Sequence, residues 1–87
     1  MKTSLEKLRQ KIDQIDADII EKLAQRFEIT GEIGEIKKIS GLPALDPERY
    51  SFLITDRKKM GKKLGLSEEL VQEIFELIHK YSVDQQK

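Results

Sequence analysis

The chain has 87 residues, enough for one small domain but few enough that a single core is marginal. Sixteen Lys and Arg balance sixteen Asp and Glu, so it lacks the positive field of a general nucleic-acid or membrane-surface binder. Without Cys it has neither a disulfide framework nor a thiolate metal site, and no apolar run is long enough for a membrane span or a signal-peptide core, so cytoplasmic residence is the expectation.

Thr3 and Glu6 have the spacing of a capping box, which starts a first helix at Ser4 or Leu5. Leu5, Leu8, Ile12, Ile15, Ile19, Leu23, Phe27 and Ile33 then recur at helical spacing as far as Lys38. At about 100° per residue they fall within a sector about 120° wide. Arg26 and Lys37 land near the middle of that sector, with Thr30 between them, where a Leu would be expected. A cation taken out of water is costly unless it is paired. The neighbours three and four positions away are Lys22, Leu23, Ile29 and Thr30 for Arg26, and Ile33, Gly34, Ser40 and Gly41 for Lys37. None is acidic. Either a carboxylate arrives from another helix, or the partner of both cations, separated by roughly 16 Å of helical rise, is an anionic ligand in an internal cleft.

Arg9 lies at the edge of the stripe, within reach of Glu6 and Asp13 for a surface ion pair. Gly31 and Gly34 each cost the helix up to about 1 kcal/mol relative to Ala. They mark a bend, or, at Gly34, leave space beside Arg26 and Lys37.

Ser40-Gly41-Leu42-Pro43 is a stop signal, and Asp46-Pro47 opens a second helix with Asp as N-cap. Leu45 and Tyr50 have the spacing of a hydrophobic staple across that start. Leu53, Met60 and Leu64 continue the apolar face until Gly65. Arg49 sits in the first turn at the edge of this face. Arg57 lies near its centre, as a structural ion pair or a snorkelling side chain. Lys58, Lys59, Lys62 and Lys63 read as a solvated face that suits the helix macrodipole.

Ser67 caps a third helix, whose Leu70, Val71, Ile74, Phe75, Leu77, Ile78 and Tyr81 cover a wide apolar arc and predict deep burial. His79, the only histidine, reads as a surface or interface residue. Ser82 and Gln86 lie one turn apart in what is ordinarily a frayed polar tail. The expected architecture is all-α, one domain over residues 1–87 with three helices, long-short-short. A first helix of about 50 Å cannot be wrapped by the other two, so an intertwined helical homodimer is expected.

The order Leu8-Arg9, Arg26, Lys37, Asp46-Pro47-Glu48-Arg49 and Ser82…Gln86 resembles the all-helical (AroQ-type) chorismate mutases over nearly the whole chain. The resemblance implies an intertwined dimer, two active sites built from both chains, and the Claisen rearrangement of chorismate to prephenate on the way to phenylalanine and tyrosine. That reaction needs no nucleophile, metal or cofactor. It needs a flexible dicarboxylate held in its reactive conformer and charge stabilised on the breaking ether oxygen.

By the same resemblance Arg26 holds one substrate carboxylate and Arg9 of the partner chain the other, where a bidentate guanidinium suits. Lys37 is the electrostatic catalyst at the ether oxygen together with Gln86, which the four-residue spacing from Ser82 selects over Gln85. Arg49 and Ser82 support the carboxylates, and the Asp46 main chain helps to place the ring hydroxyl. The family usually has a Glu, contacting that hydroxyl, where this chain has Tyr50, which can hydrogen-bond through its phenol or pack on Leu45. Isochorismate-pyruvate lyases share the scaffold, and some have a non-acidic residue there. The alternatives are therefore such a lyase, or a non-catalytic dimerisation or regulatory module in which Arg26 and Lys37 pair with the protein's own acids.

Overall fold

The structure, a computed structural model, describes residues 3–87 and is all-helical among them. It comprises α1 (Ser4–Ser40), α2 (Pro47–Lys63) and α3 (Glu68–Gln86). The predicted caps set these boundaries. Thr3 Oγ1 accepts the Glu6 amide at 3.1 Å while Glu6 accepts the Thr3 amide at 3.2 Å, closing the box. Gly41, at φ 70°, turns the chain out of α1 in the left-handed region that L side chains avoid. Asp46 Oδ1 accepts the Arg49 amide and Ser67 Oγ accepts the Leu70 amide, both at 3.1 Å. α1 runs unbroken through Gly31 and Gly34.

α3 is the hub: it packs on α2 along one face and on α1 along another, while α1 and α2 do not pack on each other. The molecule measures 59 × 24 × 15 Å, so the first half of α1 projects beyond the other helices. Leu53 and Val71 are the buried apolar side chains among the described residues. The α1 stripe from Leu5 to Ile19 is more than half exposed at every apolar position. The deep burial expected of α3 is not met within one chain, since Leu77 and Tyr81 are 55% and 56% exposed. The physical reason is coverage: α1 and α2 leave part of the α3 apolar arc without a neighbour. The exposed surface is 7172 Å², against about 5,300 Å² for a closely packed monomer of this mass.

At Gly61 α2 lies tight against α3: a Cβ there would collide with the Val71 side chain. Gly61→Ala gains about 1 kcal/mol of helix propensity but overpacks one of the few buried contacts. We expect the thermal midpoint to fall by about 5 °C. A calorimetric scan showing an unchanged or higher midpoint would refute that close approach.

Candidate active site

Arg26, Thr30, Ile33 and Lys37 follow one another at intervals of three and four, so they share one face of the C-terminal half of α1. The last turns of α3 and the start of α2 stand opposite. Between them lies a cavity of about 250 Å³. Arg26, Lys37, Asp46, Arg49, Tyr50, Ser82 and Gln86 all line it, so seven of the eight residues singled out in the sequence come together. Arg9, the eighth, is exposed on the projecting part of α1, about 25 Å of helical rise from Arg26. The ion pair that Glu6 or Asp13 could give Arg9 is not made among the described residues. Glu6 is turned back into the cap of α1 instead.

Two of the cations in the cavity, Arg26 and Lys37, are held by neutral groups. Arg26 Nη1 donates to Ser82 Oγ at 3.2 Å, and that hydroxyl in turn donates to the Ile78 carbonyl at 2.9 Å. Lys37 Nζ donates to the Ala44 carbonyl and to Gln86 Oε1, both at 2.8 Å. An ammonium has three protons and no lone pair, so one proton of Lys37 remains available. The same chemistry fixes the Gln86 amide: its oxygen faces Lys37, which leaves its NH₂ group to donate elsewhere. Ser82 and Gln86 are 5% and 8% exposed, the buried polar side chains of the described chain rather than a frayed tail.

Among the described residues no carboxylate forms a salt bridge with Arg26, Lys37 or Arg49. Arg57, central on α2, pairs with the adjacent Asp56, as the ion-pair reading expected. Burial, with Arg57 and Arg49 nearby, lowers the Arg26 guanidinium from its usual range. Asp46 is the acid on the cavity wall, and its carboxylate is engaged as the α2 cap. Three cations against one carboxylate leave a local charge of about +2 by ordinary protonation states. That is a socket for a doubly negative guest.

A family model described as chorismate mutase type II matches residues 8–87. The chain belongs to the chorismate mutase type II family. A T-protein of Enterobacter agglomerans is 33% identical over 82 residues, covering 94% of this chain and 22% of that protein. The chain thus spans about a fifth of the length of the T-proteins it matches. A chorismate mutase of Methanocaldococcus jannaschii is 31% identical over 95% of this chain and 84% of its own length. An isochorismate pyruvate lyase of Pseudomonas aeruginosa is 31% identical over 98% and 84% respectively. Among solved structures, a conserved hypothetical protein from Pyrococcus furiosus superposes over all of both chains with a TM-score of 0.75 at 36% identity.

Set within that family, two details of this site differ from the reading of the sequence. His79 is not simply a surface residue: it lines the cavity and its ring lies 4.0 Å from that of Tyr50, centroid to centroid. Tyr50 thus has an aromatic neighbour on α3 that the proposed staple with Leu45 did not anticipate. Thr30 also lines the wall, as its place between Arg26 and Lys37 on the stripe could have indicated. Ile33 and Leu53, each read from the sequence as part of an apolar face, line it too, with Val83 and Ala44, which nothing in their local sequence marked.

Gly34 does not widen the cavity. It admits the end of α3, for a Cβ there would lie 2.9 Å from Gln86 Cγ and 3.2 Å from its Cα. Gly34→Ala must therefore shift Gln86 and loosen its bond to Lys37. On the reading in which Gln86 donates to a bound substrate, turnover by this variant falls about tenfold, since misplacing such a group by an ångström costs up to about a hundredfold. A steady-state assay with near-normal turnover would detach Gln86 from catalysis.

Proposed function

We propose that residues 1–87 form a single domain that rearranges chorismate to prephenate as an intertwined, cytoplasmic homodimer. The observation that carries this reading is the cluster of Arg26, Lys37 and Arg49 around one cavity with no salt bridge to an acid of the described chain. Family membership names the dicarboxylate that suits it. The alternative in which these cations pair with the protein's own acids loses support for the same reason.

In the proposed mechanism Arg26, braced by Ser82, directs its remaining N–H groups to one carboxylate. Arg9 of the partner chain takes the other, and Arg49 adds positive charge at the rim. The chain then holds the enolpyruvyl arm over the ring, which removes the entropy cost of finding that conformer. As the ether C–O bond breaks and the new C–C bond forms, negative charge gathers on the ether oxygen, which becomes the keto oxygen of the product. The free proton of Lys37 and the free NH₂ of Gln86 are the donors aimed at that charge. No proton or electron leaves the substrate. Tyr50 and the Asp46 main chain receive the ring hydroxyl.

The dimer is supported by the surface excess of roughly 1,900 Å² over a closely packed monomer and by the exposed stripe from Leu5 to Ile19. A second apolar groove, between Ile15, Ile19 and Leu23 of α1 and Ile74, Leu77 and Ile78 of α3, lies along the same seam. No helix of the described chain is long and apolar enough to cross a membrane.

Tyr50, in place of the family's usual acid, and the similarity to an isochorismate pyruvate lyase at 31% identity both favour a lyase acting on isochorismate as the second reading. Following chorismate absorbance with product identification decides between them. Prephenate supports the mutase, pyruvate from isochorismate supports the lyase, and no turnover of either supports a binding module.

A further inference from the structure

We propose that His79, stacked on Tyr50, contacts the bound ligand and takes up a proton from solvent as a dicarboxylate enters the cavity. This rests on the mutase reading of the site and adds to it a residue outside the quoted motifs. Three observations carry it. His79 is half-buried in the cavity wall, on the α3 face opposite the cations of α1. Its ring is braced by Tyr50 at a 38° tilt. No hydrogen bond within the described protein occupies either ring nitrogen of His79 or the Tyr50 hydroxyl, although both residues line the cavity. A neutral imidazole offers one donor and one acceptor, and a phenol offers both. Together they form a polar patch where the chain lacks the family's acid.

The charges around the imidazole explain the proton. Arg26 and Lys37 face it from α1, Arg49 and the capping Asp46 from α2, and Glu76 lies one turn back on α3. In the empty cavity burial, then Arg26 and Lys37, lower its affinity for a proton, so the ring is neutral at pH 7. A dianion seated between those cations offsets their net charge of about +2, which removes the repulsion that disfavours the imidazolium and places negative charge beside the ring. Proton uptake and anion binding are then coupled, so affinity rises as pH falls through the range where the bound ring titrates. The chain has one histidine, so uptake near pH 6.5 has a single side-chain source.

Calorimetric titration of the intact protein with prephenate, near pH 6.5 in two buffers of different ionisation enthalpy, counts the protons. We expect uptake of up to about one proton per site, and binding that tightens between pH 8 and pH 6 by up to about tenfold. In His79→Gln, shown folded by circular dichroism, prephenate still binds but uptake and pH dependence vanish. Equal wild-type heats in both buffers would overturn the proposal, as would uptake persisting in His79→Gln. The wild-type comparison stands even if the variant fails to fold. Absence of both prephenate binding and chorismate turnover would instead bring down the mutase reading, and this inference with it.

Discussion

Lys37→Ala is expected to lower kcat by more than about a hundredfold while leaving the helical content and the assembly unchanged. Two hydrogen bonds of 2.8 Å hold the ammonium between Ala44 and Gln86, so its third proton is positioned before the substrate arrives. Removing one preorganised donor to a developing oxyanion costs about two to three orders of magnitude. The variant also releases Gln86 Oε1, which frees the second donor to rotate. Stability should change by about 1 kcal/mol or less, because the donor lost by the Ala44 carbonyl and Gln86 is offset by relief of repulsion from the nearby cations, and no acid is orphaned. Lys37→Arg should not restore the rate, since a planar fork cannot occupy the place of a compact point charge. Stopped-flow or steady-state loss of chorismate absorbance, beside a circular dichroism melt, measures both quantities. A rate within about threefold of wild type would remove Lys37 from the chemistry.

Arg9 calls for a different experiment, because the proposed role places it at the cavity of a partner chain rather than its own. Arg9→Ala and Lys37→Ala homodimers should each be nearly inactive. Mixed by unfolding and refolding at equal amounts, they should recover about one quarter of wild-type activity, provided the assembly is the two-fold dimer. About half of the dimers are then mixed. Each mixed dimer has one cavity with an intact Lys37 and the partner's intact Arg9, and one cavity lacking both. If Arg9 served its own chain, the mixture would recover nothing. The helical rise of about 25 Å between Arg9 and Arg26 already makes service to its own cavity difficult.

The extent to which the site was legible in the sequence follows from what each residue depends on. Helix boundaries are local: Thr3 with Glu6, Asp46 with Pro47, and Ser67 each satisfy backbone groups within one turn of themselves. They were readable from spacing alone. Arg26 and Lys37 were readable for a related reason, as cations on an apolar stripe contradict the pattern around them. Ser82 and Gln86 lie one turn apart, yet composition gave them no more weight than a polar tail. Their burial comes from α1, 56 and 49 residues away in sequence from their respective partners.

The sequence by itself determined the three helices, their caps and the interruption of the α1 stripe by two cations, because these follow from period and from neighbours within a turn or two. The spacing from Ser82 already selected Gln86 over Gln85, and the tertiary structure gives the physical reason: the Gln85 amide is engaged by Thr30 and the Phe27 carbonyl, while Gln86 meets Lys37. Only the tertiary structure made Gly34 the seat of the α3 end, and only it brought His79 against Tyr50. Those outcomes turn on the rotation of α3 about its own axis relative to α1 and α2. That rotation is set by close contacts between residues far apart in the chain, and no local spacing encodes it.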